Sequence, residues 1–192
     1  MSTTLKISPK RILDFDVETV AAGFADPQWV PQRVTVIAWS WVGRREVRHS
    51  TRLDGPLEMF EPFLDDLAEA DMVTGHNLLR FDLPVINADM IRIGLRPLLP
   101  LLVQDTMRVP KTKGLKKGQE NLAQMLEVKN RKRSMDWQAW DEAYEWDALI
   151  AGFRPSWEKV IERCVTDVKQ HKQMRTRMLQ AGILKPPVHW TP

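Results

Sequence analysis

Apolar and acidic residues alternate in the first patterned stretch of the chain: Leu13, Phe15 and Val17 interleave with Asp14, Asp16 and Glu18. A period of two predicts a β-strand over residues 10–18, with one apolar face and one face carrying three carboxylates. Val34 to Val42 alternates in the same way. A turn at Gly43-Arg44-Arg45 then returns the chain as a short hairpin partner over Glu46–Ser50. Leu57, Phe60, Phe63, Leu64 and Leu67 follow helical spacing, which predicts an amphipathic helix over Pro56–Ala70. Met72–Thr74 reads as a short buried strand ending at Gly75, residues 76–81 as a loop, and Leu83–Ile93 as a helix stopped by Gly94. A further strand is expected within Leu101–Val109 and a helix over Glu120–Leu126. A helix with a connection is expected over residues 136–152, around Trp137, Trp140, Tyr144 and Trp146. The last helix is long. It starts at Ser156 as N-cap, turns Trp157, Ile161, Cys164 and Val168 inward, and runs to Gln180 before Gly182.

Strands, a helix, a short central strand and then helices predict a mixed α/β domain whose sheet is antiparallel on one side and has a parallel neighbour. Residues 1–9 read as a flexible arm, Ala21–Gln32 as a loop, 10–182 as a single domain, and 183–192 as a C-terminal tail. The 192 residues suffice for one substantial core. No apolar run is long enough for a membrane span, and Met1–Pro9 lacks the apolar segment of a secretory signal. Cys164 is the single cysteine, which excludes an internal disulfide or a cysteine-built zinc cage. A cytoplasmic protein is expected. The net charge of +3 is mildly basic and compatible with a nucleic-acid partner.

Charge then changes the reading of the first strand. Two like charges about 4 Å apart repel by roughly 4 kcal/mol at an effective dielectric near 20. A hard divalent cation turns that repulsion into binding energy. A solvated acidic face is the alternative. Asp82 follows the loop Gly75-His76-Asn77-Leu78-Leu79-Arg80-Phe81, where strands of α/β proteins give way to ligand-binding turns. It can equally cap the helix beginning at Leu83. Asp167 lies at the edge of the inward stripe of the last helix, where an acid needs a partner: Arg163 one turn earlier, or a metal.

Taken together and in order, these stretches resemble the DEDD superfamily of 3′–5′ exonucleases. Asp16-Val17-Glu18-Thr19 is similar to the family's first motif. His76-Asn77 with Phe81-Asp82 is similar to the second, at a spacing close to that of B-family polymerase proofreading domains. Cys164 to Val168 is similar to the third, usually Tyr-Cys-x-x-Asp. The likeness spans about residues 10–180 and departs at one place. Where the family carries a Tyr four residues before the last Asp, or a His five before it, this chain has Arg163 and Glu162. Arginine stays protonated and cannot be a general base.

The resemblance implies a ribonuclease H-like three-layer fold with a mixed central sheet flanked by helices. It also implies two Mg²⁺ or Mn²⁺ ions held by Asp16, Glu18, Asp82 and Asp167, and 3′–5′ hydrolysis of phosphodiester bonds at nucleic-acid ends. Single-stranded nucleic acid or frayed duplex 3′ ends would be the substrate. Thr19, Asn77 and Arg163 are candidates for substrate contact, Phe81 for core. His171, one turn after Asp167, is either a compensating base or a packing histidine. Lys111, Lys113, Lys116 and Lys117, with Lys129, Arg131, Lys132 and Arg133, either follow a phosphate backbone or form a solvated face. Two other readings remain open: a nucleic-acid-binding or regulatory module with weak or lost catalysis, and a structure-specific endonuclease.

Overall fold

In the computed structural model, which describes residues 10–19, 33–109, 116–130 and 155–192, β1 (Ile12–Thr19) runs through the middle of the sheet. It pairs antiparallel with β2 (Val34–Trp41) and parallel with β4 (Met72–Gly75). β3 (Arg48–Thr51) extends β2 as the hairpin partner, and β5 (Leu101–Asp105) lies parallel to β4. β6 (Val188–Trp190) closes the far edge antiparallel to β5, giving the order β3-β2-β1-β4-β5-β6. That last strand falls in the segment expected to be a tail. It carries no local strand signal, because its three residues follow Pro186-Pro187; pairing with β5 makes it a strand.

Helices cover both faces. Leu13, Phe15 and Val17 point with Ile37 and Trp39 into a core filled by Phe63 and Leu67 of α1 (Glu61–Ala68) and Ile86 and Met90 of α2 (Asp82–Arg92). Phe63 meets Phe15 and Trp39 edge-on, with ring centroids 5.2 and 5.7 Å apart. On the other face Val36 and Ala38 pack against Trp157, Val160, Cys164 and Val168 of α4 (Pro155–Gln180). Val160 takes the fully buried place expected for Ile161, which sits half-buried at the rim. Further along, Met174 and Met178 close on Leu122 and Ala123 of α3 (Gln119–Met125). The result is a three-layer α/β domain, a six-stranded mixed sheet flanked by helices, in the ribonuclease H-like arrangement.

Other boundaries differ in detail. The helix expected from Pro56 begins at Glu61 after turns, and the strand expected within Leu101–Val109 ends at Asp105, whose carboxylate turns the chain. The arm at 1–9, the loop at 21–32, Lys111, Lys113, Arg131, Lys132, Arg133 and the helix expected at 136–152 with Tyr144 lie outside the described residues. Among the described residues no helix is long and apolar enough to cross a membrane.

Candidate metal centre

The same alternation that buries Leu13, Phe15 and Val17 puts Asp14, Asp16 and Glu18 on the face covered by α4. Each meets a different residue of that helix. His171 Nδ1 lies 2.8 Å from the Asp14 carboxylate, Cys164 Sγ lies 3.4 Å from the Asp16 carbonyl and 3.7 Å from Asp16 Oδ2, and Arg163 Nε donates to Glu18 Oε1 at 3.0 Å. The helix therefore runs antiparallel to β1, and residues 163, 164, 167 and 171 form the stripe that reads the strand's acidic face. This register brings Asp167 onto the pair. One oxygen from each of Asp16, Glu18 and Asp167 lies within 4.8 Å of the others. Asp16 and Glu18 are half-buried, and Asp167 is 1% exposed. Hard carboxylate oxygens converging at this spacing suit Mg²⁺ or Mn²⁺.

Asp82 enters from the side. It is the first residue of α2. Its Oδ1 accepts the Val17 N–H of β1 at 3.2 Å, a contact that reaches across to the central strand. The side chain lies outside the three-acid cluster but lines the same cleft. Burial pushes its carboxyl up to about 7; backbone N–H groups oppose this, and the charges of Asp105 and Glu18 add to it. Burial and the surrounding carboxylates also hold the Cys164 thiol well above its usual range. Cys164 is thus a neutral packing residue beneath the acids.

The cleft encloses about 280 Å³, and His76, Asn77, Phe81, Met107 and Gln119 line it beside the acids. Its loop wall is set by Asp105, a residue whose role sequence reasoning missed. Oδ1 accepts the N–H groups of Asn77 and Met107, both at 2.8 Å, and Oδ2 accepts that of Leu79 at 3.1 Å. Held this way, Asn77 turns the chain at φ 72°, a left-handed conformation that asparagine tolerates better than most residues. The signal available was an acid at the carboxyl end of a strand beside a loop rich in unpaired N–H groups. Gln119 was missed too. Its Nε2 donates to the Asp167 carbonyl and to Gln170 Oε1, both at 3.0 Å, tying α3 to the turn that carries the acid.

Three other candidates take different places around the cleft. Arg163, one of the two partners the sequence offered Asp167, forms an ion pair with Glu18 across the layer. His171 is 2% exposed and does not line the cleft; Nδ1 faces Asp14, and Nε2 lies 2.9 Å from Thr106 Oγ1. Thr106 Oγ1 in turn is 3.1 Å from His76 Nδ1, so His171 supports a cleft residue from behind. Thr19 ends β1 beyond a shift in register after Glu18 and is not among the cleft-lining residues.

Fold and site together define an α/β domain with an acidic cluster that could hold metal at the carboxyl end of its central strand. No family model matches the chain, and no curated protein sequence does. Among solved structures it resembles the family B DNA polymerase from the hyperthermophilic archaeon Pyrobaculum calidifontis, with a TM-score of 0.57 and 17% identity over 90% of this chain. The chain spans 25% of that polymerase's length. At this identity the likeness concerns the fold.

Proposed function

We propose that the chain is a metal-dependent nuclease that removes nucleotides from the 3′ ends of single-stranded nucleic acid or frayed duplexes. The observation that carries the reading is the convergence of Asp16, Glu18 and Asp167 from a strand and a helix 145 residues apart in the Arg163–Glu18 contact, with Asp82 in the same cleft. In this reading Asp16, Glu18, Asp82 and Asp167 would hold two divalent ions. Two such ions, when bound, supply Lewis acidity for phosphodiester hydrolysis and stabilise the leaving 3′-oxygen. The protein's own residues do the rest. Asp105 fixes the loop that presents Asn77 and His76 to the terminal nucleotide. Gln119 ties the Asp167 turn to α3. Arg163, always protonated, offers its guanidinium to a phosphate oxygen. His171 acts as a positioning residue behind Thr106 and His76.

Where a Tyr or His would accept a proton, this site has an arginine. Proton transfer by a positioned side chain is worth about 10²–10⁴-fold. Slow turnover is therefore expected, and the Arg163–Glu18 pair favours, as the second reading, a binding module with weak catalysis. End-labelled single-stranded DNA and RNA, incubated with Mg²⁺, Mn²⁺ or EDTA, test both readings. Metal-dependent shortening that disappears in Asp16→Ala supports the nuclease. Its absence with folded protein rejects it, and cleavage of a circular single strand would identify an endonuclease instead.

A further inference from the structure

Next to the acidic cleft, and sharing Asn77 and Met107 with it, lies a second cavity of about 350 Å³ whose charge is reversed. Arg80, Arg108, Lys117 and Lys185 line it. The one carboxylate in its wall, Asp105, is buried and occupied by three backbone N–H groups. Arg80, Lys117 and Lys185 have no carboxylate partner among the described residues. Leu79 and Val109 add apolar surface between the cations. Four cations interleaved with apolar side chains suit a chain that alternates phosphates with flat, apolar-faced bases. The size lies at the lower end of small-molecule sites, too small for a duplex.

Tertiary structure builds this cavity from four separate stretches. Arg80 comes from the loop before α2, Arg108 from the turn after β5, Lys117 from the approach to α3, and Lys185 from the segment leading to β6. That segment is pinned in place: Gln104 Nε2 donates to the Lys185 carbonyl at 3.3 Å, and Arg108 Nη1 to the Pro186 carbonyl at 3.1 Å. A larger basic cavity of about 610 Å³, lined by Arg44, Lys129 and Arg177 among others, is the rival location. There the inner cations are already engaged. Lys172 donates to Ser40 Oγ and to the Arg44 carbonyl, and Arg175 donates twice to Gln104 Oε1. It also lies toward Asp14, the end of β1 away from the Glu18 carboxylate.

We infer that the cavity lined by Arg80, Arg108, Lys117 and Lys185 is the track for the body of a single-stranded polynucleotide whose end lies in the acidic cleft. The assignment rests on the nuclease reading for the position of that end, but binding along the track requires neither metal nor cleavage. Each phosphate contact with a single strand adds about 0.7 to the slope of log K against log salt. Fluorescein-labelled 12-mers of deoxythymidylate and of uridylate, titrated by anisotropy in EDTA across a salt series, measure that slope. The double variant Arg80→Gln/Lys185→Gln should flatten it by about 1.4 and weaken binding roughly 25-fold near 0.1 M salt. Arg177→Gln, in the rival cavity, should leave it unchanged. Thermal melts of all three proteins verify that each is folded. An unaltered slope in the double variant, an equal loss in Arg177→Gln, or no binding by the wild type overturns the track. Cleavage assays run separately distinguish the two readings. Metal-dependent cleavage with unaltered slopes removes the track and keeps the nuclease, whereas flattened slopes without any cleavage do the reverse.

Discussion

Arg163 beside the cleft and Asp82 within it show how much a single side chain alters at this site. The guanidinium of Arg163 sits 3.0 Å from a carboxylate that a divalent ion would also use. Even fully screened by water, unit charges about 4 Å apart interact by ~1 kcal/mol, and a divalent ion doubles that. Arg163→Met should therefore tighten Mn²⁺ binding at least ~10-fold by calorimetry; weaker binding would mean that Arg163 chiefly orients Glu18. Asp82 is raised to about 7 from 3.8, so the folded protein holds this proton more tightly than the unfolded chain does. Its contribution to stability is full below the unfolded value and is lost as pH rises through 7. Asp82→Asn keeps an acceptor for the Val17 N–H and removes the titration. In the absence of metal, its stability relative to wild type should improve by a few kcal/mol between pH 5 and pH 8 in urea unfolding. A difference that does not vary with pH would assign Asp82 an ordinary pKa.

At the scale of elements, the site depends on how closely β1, β4 and the following loop approach one another. A Cβ on Gly75 would lie 2.7 Å from the Phe15 carbonyl oxygen and 2.5 Å from Leu78 Cδ2. Both neighbours are fixed, one by the strand ladder and the other by the core. Gly75→Ala should cost about 1–3 kcal/mol, the usual range for overpacking, and should displace the loop bearing His76 and Asn77. Denaturant unfolding measures the first effect, and the chemical shifts of the Asn77 amide report the second. The α4 stripe carries a parallel lesson. Trp157, Cys164 and Val168 were legible as an inward face from their helical spacing, and Asp167 as an acid at its margin. The partner of Arg163 was not, because spacing along one helix reports only neighbours three and four residues away.

For the whole molecule, β6 joins the sheet edge to the basic cavity beside the cleft. It covers the outer edge of β5 and holds Lys185 beside the cleft, so deleting residues 183–192 should lower the melting temperature and expose a strand edge prone to association. Light scattering and thermal melts check both effects; a truncated protein that melts and remains monomeric like the full chain would make β6 dispensable. Local pattern determined a good deal of this protein: the alternation of β1 and the helical spacing of α1, α2 and α4. These follow from the two periods, 2.0 and 3.6, with which side chains leave strands and helices. Only the tertiary structure decided that Asp82 reaches the Val17 N–H of β1, that Arg163 pairs with Glu18, and that His171 lies behind the cleft. It also decided that a three-residue strand completes the sheet. Each of these is a contact across layers or strands, fixed by the antiparallel docking of α4 on β1 and by the pairing partners of β4 and β5. Among equal acids at every second position of β1, that docking is what separates Asp14, sealed against His171, from Asp16 and Glu18, which open onto the cleft.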